Sequence, residues 1–254
     1  MRQLALAALL VVAAGTARAD GSPVIPAGPE ARWGFIQFGI APYSPNIDSG
    51  TFTSGGLTTT PYATVFGTSR PLLFQLFFSR SLWLSEVGTL DAGVGAGYWQ
   101  VSGQGIYQYP NGTTVTGSTT SLLIVPLTLD VQYRFDIFYD EWRVPLEPYA
   151  RLSFVDKLWW AKGQNGTSTY TSPSGQIFTG QGATYGWSGT LGLALVLDAF
   201  DPALARQMTY DTGIVHTMLT FDFTKESVND FGSRTSWQLA PSSWMWSAGL
   251  VFLF

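Results

Sequence analysis

The chain has no cysteine, a single histidine and few charges, with 13 basic and 17 acidic residues among 254. Without cysteine there is no disulfide framework and no thiolate metal site, and one histidine is too few for a zinc-type ligand set, so neither metal nor cofactor is expected. A net charge of −4 without a basic cluster excludes a nucleic-acid partner. No stretch matches a phosphate-binding loop or a dinucleotide fingerprint. Charged residues make up 12% of the chain, about half of what a soluble domain carries. Yet no apolar run approaches the ~20 residues that a membrane-spanning helix needs.

What is present begins with a leader. Arg2, the apolar run Leu4 to Ala14 and the small-residue site Ala17-Arg18-Ala19 read as a secretory signal peptide over residues 1–19, leaving 20–254 as the mature chain. The composition is 46% hydrophobic and 15% aromatic. Apolar strands without a spanning helix leave two architectures, a barrel in lipid or a secreted β-sandwich. Secreted domains often use disulfides, so the lack of cysteine favours the barrel.

From Ala31 onward the hydrophobic period is two, and alternating segments recur between turn-rich stretches. Ile36, Phe38 and Ile40 oppose Phe35, Gln37 and Gly39 in the first of these segments. In the fourth, Leu123 to Phe135 at odd positions opposes Ile124 to Arg134 at even ones. The expectation is an all-β, eight-stranded antiparallel transmembrane barrel with long extracellular loops and short periplasmic turns. Connectors over Ser44–Ser69, Ser102–Thr120, Asp156–Ala183 and Lys225–Ser242 are long and alternate with shorter ones. An even strand number then puts both termini in the periplasm of a bacterial outer membrane. Asp201-Pro202 starts a one-turn helix over Ala203 to Met208 in the third inner connector. Asn111-Gly112 and Asn165-Gly166 mark loop tips, and Ile106 to Thr116 reads as a two-stranded extension. An open sheet edge is untenable in lipid, so Trp244 to Phe254 must pair with Arg32 to Tyr43.

The inward face gathers Asp91, Asp130, Gln132, Arg134, Glu147, Arg151, His216 and Asp222. Eight strands enclose only enough room for side chains, so these groups are expected to form an ion-paired and hydrogen-bonded plug. No catalytic residue is assigned. His216 is the sole candidate base, but its place near the periplasmic end argues against an enzyme acting on outer-leaflet lipid. A narrow channel or transporter is the main alternative to a structural, loop-presenting barrel, with Pro126 in the fourth strand as a weak point in the ladder; a lipid-modifying enzyme comes third. Expected partners are outer-membrane lipid and the barrel assembly machinery; a surface ligand is left open. Trp246, Leu250, Phe252 and Phe254 share one face of the last strand and resemble the C-terminal signal read by that machinery.

Several stretches together resemble one family. Ala41-Pro42-Tyr43-Ser44-Pro45-Asn46-Ile47-Asp48, Val65-Phe66-Gly67, Glu86-Val87-Gly88-Thr89-Leu90, Val144-Pro145-Leu146-Glu147-Pro148-Tyr149 and Leu197-Asp198-Ala199-Phe200-Asp201-Pro202-Ala203-Leu204-Ala205-Arg206 run in order along the mature chain. They are similar to the outer-membrane β-barrel proteins common in myxobacteria and their relatives, whose biochemical role is largely uncharacterised. The resemblance implies location and fold and brings no catalytic residues. The ending Phe252-Leu253-Phe254 departs from the pattern, in which an acidic residue often precedes the last Phe.

Overall fold

A period of two sends successive side chains to opposite faces of a strand. The computed structural model carries that pattern through eight strands: β1 (Gly34–Pro42), β2 (Leu72–Leu84), β3 (Thr89–Tyr109), β4 (Gly112–Arg134), β5 (Leu146–Gly163), β6 (Gln181–Val196), β7 (His216–Val228) and β8 (Met245–Leu253). Each pairs antiparallel with its sequence neighbours. β8 returns to β1, with Phe35 opposite Leu253 and Ile40 opposite Ala248. The sheet is thereby closed into an up-and-down barrel. Trp33 N donates to the Phe254 carbonyl at 2.7 Å and Phe254 N to the Gly34 carbonyl at 2.9 Å, so the expected closure extends to the last residue. The structure describes residues 33–49, 52–54, 57–109, 112–164, 166–171, 175–233 and 236–254. The leader, Arg32 and the turn residues Asn111 and Asn165 lie outside them.

The wall is apolar outside and polar inside. Phe38, Phe74, Val94, Leu129, Leu152, Leu191, Phe221 and Phe223 are exposed on the outer face, while Gln37, Asp91, Gln132, Arg151, Thr190, Thr220 and Asp222 are buried within. That inversion is the signature of a transmembrane barrel of the outer-membrane type. Among the described residues no helix is long and apolar enough to cross a membrane; crossing falls to the strands.

The two ends differ. Three connectors, 85–88, 135–145 and 197–215, lie at the end that also holds Trp33 and Phe254, here called the turn end. The other, the loop end, carries 43–71, 164–180 and 229–244. Two expected connectors prove to be mostly strand. Ser102–Thr120 is a continuation of β3 and β4, paired from Ser102↔Ser121 to Tyr109↔Gly112 with one register shift between Gln104 and Ile106. In the next loop, β5 continues to Gly163 and β6 starts at Gln181, and short strands over Gly166–Thr167, Thr169–Thr171 and Ile177–Thr179 lie between them. The wall is therefore uneven: β1 and β8 have 9 residues each, β3 has 21 and β4 has 23. The expected single helical turn is an 11-residue helix, α1 (Pro202–Thr212). Asp201 caps it by accepting from Ala203 N at 3.2 Å and Leu204 N at 3.0 Å, and Gly213 ends it with φ of 76°.

Candidate functional site

Among the described residues the alternation collects polar side chains in the lumen, which is filled in layers. At the turn end, Arg134 is 2% exposed and lies among three carboxylates. Its Nε is 2.8 Å from Asp136 and 3.6 Å from Glu147, and its Nη2 is 3.8 Å from Asp91. Thr89 donates its hydroxyl to Asp136, and Ser81 donates to Asp91 at 2.7 Å. The guanidinium also stands 5.8 Å from the centre of the Phe35 ring. Charges withdrawn from water need such partners. Asp136 belongs to this group although the sequence pattern had assigned it to a connector; β4 ends at Arg134 and the chain turns Asp136 back over the lumen.

The middle layer is organised by Arg151. Its Nε donates to the Gln132 carbonyl oxygen at 2.8 Å and its Nη2 to that of Gln37, while the guanidinium lies 4.3 Å from the centre of the Phe77 ring. Gln37 passes the chain of bonds on, donating to Thr220 at 3.1 Å and to Asp222 at 3.3 Å. The Tyr149 hydroxyl donates to the same Asp222, and Ser247 reaches it at 3.4 Å. Room for this network comes from glycines on neighbouring strands. A Cβ at Gly192 would lie 2.2 Å from the Tyr149 ring and 2.5 Å from Asp222, and one at Gly95 would lie 2.4 Å from Thr128. Asp130 accepts from Thr128 at 2.7 Å and stands apart from both arginines.

Nearer the loop end a second ion pair joins Lys157 to Glu226. Lys157 is 1% exposed and also donates to the Tyr43 hydroxyl and the Leu239 carbonyl, each at 3.2 Å. Both members of the pair had been placed in loops; β5 and β7 run further than the lipid band requires and carry them inward. Above them an apolar cap closes the mouth. Tyr43, Ile47, Tyr62, Trp99, Leu122, Ile124, Leu239 and Ala240 form one buried cluster. The Tyr43 hydroxyl donates to the Leu239 carbonyl, Asn46 N donates to the Ala240 carbonyl at 3.0 Å, and the Trp159 and Trp237 rings stack at 4.3 Å. Two lumen cavities measure about 30 Å³, beside Arg151 and Asp222, and about 10 Å³, beside Arg134. Each is room for a water molecule or two.

His216 has inward parity on β7 and sits at the turn-end rim, the height its place at the start of the strand implies. Its Nδ1 is 2.7 Å from Asp198, whose other oxygen accepts from Thr217 N at 3.1 Å, and the ring packs edge-on against Tyr139 at 5.3 Å. Burial, and after it the Asp198 charge, pushes the Tyr139 phenol above its ordinary pKa. The other expected lumen residues, Asp91, Asp130, Arg134, Arg151 and Asp222, are all inside and at most 7% exposed.

Pro126 falls at a break in the ladder, as expected. The β3–β4 ladder has no bridge at the rungs Gly97/Pro126 and Tyr98/Val125, between Ala96↔Leu127 and Trp99↔Ile124. A proline has no N–H to donate. The site is nonetheless close-packed: a Cβ at Gly97 would meet Pro126 Cγ at 2.8 Å and Leu73 Cδ1 at 3.3 Å, and on its other side β4 stays paired with β5 at Pro126↔Lys157.

On the last strand, Trp246 is 57% exposed and Leu250 and Phe252 share its outward face. Phe252 packs edge-on against Phe38 at 6.4 Å, and Phe254 lies 5.7 Å from Trp33.

No family model and no curated protein matches the sequence. Among solved structures, Neisserial surface protein A aligns over 88% of this chain and 97% of its own, with 12% identity and a TM-score of 0.42. OprG from Pseudomonas aeruginosa aligns over 87% and 93%, with 12% identity and a TM-score of 0.39. Ail of Yersinia pestis aligns over 87% and 99%, with 12% identity and a TM-score of 0.37. The barrel and its inside-out polarity rest on the strand pairings and exposures given above.

Proposed function

We propose that this chain is an integral protein of the bacterial outer membrane, with both termini in the periplasm, and that it serves as a structural, loop-presenting surface barrel without enzymatic activity. The observation that carries the reading is the lumen, which is occupied by two arginine layers, a lysine–glutamate pair and an apolar cap. A conduit would need a continuous open path, and the cavities beside the arginine layers measure only about 30 and 10 Å³. His216, the sole candidate base, is engaged by Asp198 at the rim that this orientation places in the periplasm. The outward row Trp246, Leu250, Phe252 and Phe254 serves as the assembly signal in this reading, and outer-membrane lipid is the main partner. The stretches resembling myxobacterial barrel proteins support the same place and architecture.

Conductance in planar bilayers tests the proposal. Purified protein is expected to give no stable open level at any holding potential. A reproducible open level would overturn the filled-lumen reading in favour of a narrow channel.

A further inference from the structure

The β8–β1 seam opens at its loop end. Its last bridge is Ile40↔Ala248; beyond that, β1 stays with β2 at Pro42↔Leu72 and β8 stays with β7 at Trp246↔Phe223. The two strands diverge, and a cleft of about 250 Å³ lies between the segments that follow and precede them. Asn46, Thr68 and Arg70 line one side, and Ser242, Ser243 and Trp244 the other.

Its chemistry favours an anion bearing hydroxyls. Arg70 is exposed, with no acidic partner among the described residues, and Lys225 Nζ reaches the far wall, 3.5 Å from the Ser242 carbonyl. The acidic residue in the lining, Asp48, has both oxygens engaged, accepting from Tyr62 N and Ala63 N at 2.8 Å each. Trp244 and Trp246 are 56% and 57% exposed at the outer-wall side of the cleft, and such indole rings mark the depth where lipid meets water. Directly below, on the outer wall, an apolar groove of about 570 Å³ is lined by Phe38, Ile40, Phe74, Ala96, Ala248 and Leu250. Ile40 and Ala248, the last rung of the seam, are thus the point where polar cleft and apolar groove meet.

From this juxtaposition we infer that the seam is a binding site for a phosphorylated glycolipid of the outer leaflet. The phosphate is held by Arg70, the sugar hydroxyls by the Asn, Ser and Thr side chains, and an acyl chain lies in the groove past Ala248. A guanidinium suits phosphate through charge-assisted hydrogen bonds. The inference rests on the proposed orientation, in which the loop end faces outward.

The test uses full-length protein in nanodiscs and native mass spectrometry with defined lipids: a phosphorylated diglucosamine glycolipid, phosphatidylglycerol and phosphatidylcholine. Wild-type protein is expected to retain one glycolipid preferentially. Arg70→Ala should weaken retention about tenfold, as the loss of one charge-assisted hydrogen bond implies. Ala248→Phe, which fills the groove, should weaken it as well. Arg80→Ala removes another exposed arginine, located on the outer face of β2 near the turn end, and should change nothing. Equal retention by the Arg70 and Arg80 variants would overturn the site. Equal binding of phosphatidylglycerol would reduce it to general anion attraction, and equal competition by the phosphorylated disaccharide without acyl chains would point to a soluble sugar instead. Failure of the wild-type protein to float with lipid vesicles would overturn the membrane reading itself, and the inference with it.

Discussion

The two halves of the lumen solve the same problem by opposite means. Near the turn end the interior is closed by charge set beside a smaller apolar cluster of Phe35, Val196, Met218 and Leu253, with Arg134 serving three carboxylates; in the middle layer Arg151 bonds Gln132 and Gln37, and Gln37 leads on to Asp222. Near the loop end it is closed by apolar area, with Tyr43, Trp99, Leu122 and Leu239 packed over a single Lys157–Glu226 pair. Apart from Asp136, two residues past the end of β4, the charged half is assembled from residues on the strands themselves, which the ladder holds in fixed register. The apolar half also draws on connecting segments outside the ladder, among them Tyr43, Ile47, the short helix Pro61–Phe66 that carries Tyr62, and Leu239, which must first be brought together. Charge tolerates little error in placement, since an unmatched buried ion costs several kcal/mol. It therefore sits where the backbone is most constrained, and the forgiving, non-directional interaction sits where the backbone is not.

Three substitutions put that contrast under strain. The largest effect is expected for Arg134→Met, which leaves Asp91, Asp136 and Glu147 without their cation and should cost about 3–5 kcal/mol. Urea unfolding in vesicles, followed by tryptophan fluorescence, measures it. Adding Asp91→Asn, Asp136→Asn and Glu147→Gln to the same chain should restore most of the loss; if it does not, charge balance is not what holds that layer. Next comes Leu239→Ala in the apolar cap, expected to cost about 2 kcal/mol, the low end for a buried leucine, because an irregular segment can close around the void. Limited proteolysis should show 229–244 cut sooner while Trp33 and the turn end stay protected. Equal exposure of both ends would mean that the halves are one cooperative unit. The smallest effect belongs to Tyr43→Phe, about 1 kcal/mol, for the hydroxyl that links Lys157 to the Leu239 carbonyl. A cost matching that of Arg134→Met would place the organising polar centre at the wrong end.

The same contrast explains what could be read from the sequence. Facing was legible wherever a strand crosses lipid, because a hydrocarbon surround enforces strict alternation: Gln37, Asp91, Gln132, Arg151 and Asp222 all point inward as the period requires. Closure of the last strand on the first followed from the cost of an open edge, although the pairing stops at Ile40↔Ala248 and leaves Trp244–Ser247 unpaired with β1. Beyond the lipid band that pressure ends. Asp156 and Lys225 lie on the outer face there, and the break in alternation hid the fact that Lys157 and Glu226, one step along, were still on strands and still inward. The cap was not legible at all, since Tyr43, Ile47, Tyr62 and Leu239 belong to segments without a period and nearly two hundred positions separate the first from the last. His216 shows the converse limit: parity and position gave its face and its height, but its partner Asp198 lies in a turn that the period does not describe.

The two unbridged rungs beside Pro126 have a mechanical meaning. A closed ladder is stiff because every rung shares the load, and the paired arm of β3 and β4 that rises past the lipid band would transmit any sideways push on its tip straight into the wall. The break at Gly97 and Tyr98 falls at the foot of that arm, on the level where the wall meets the small lumen cavity. β2 at Phe74↔Tyr98 and β5 at Pro126↔Lys157 still hold the two strands there, so a load on the arm passes to the neighbouring seams rather than across this one.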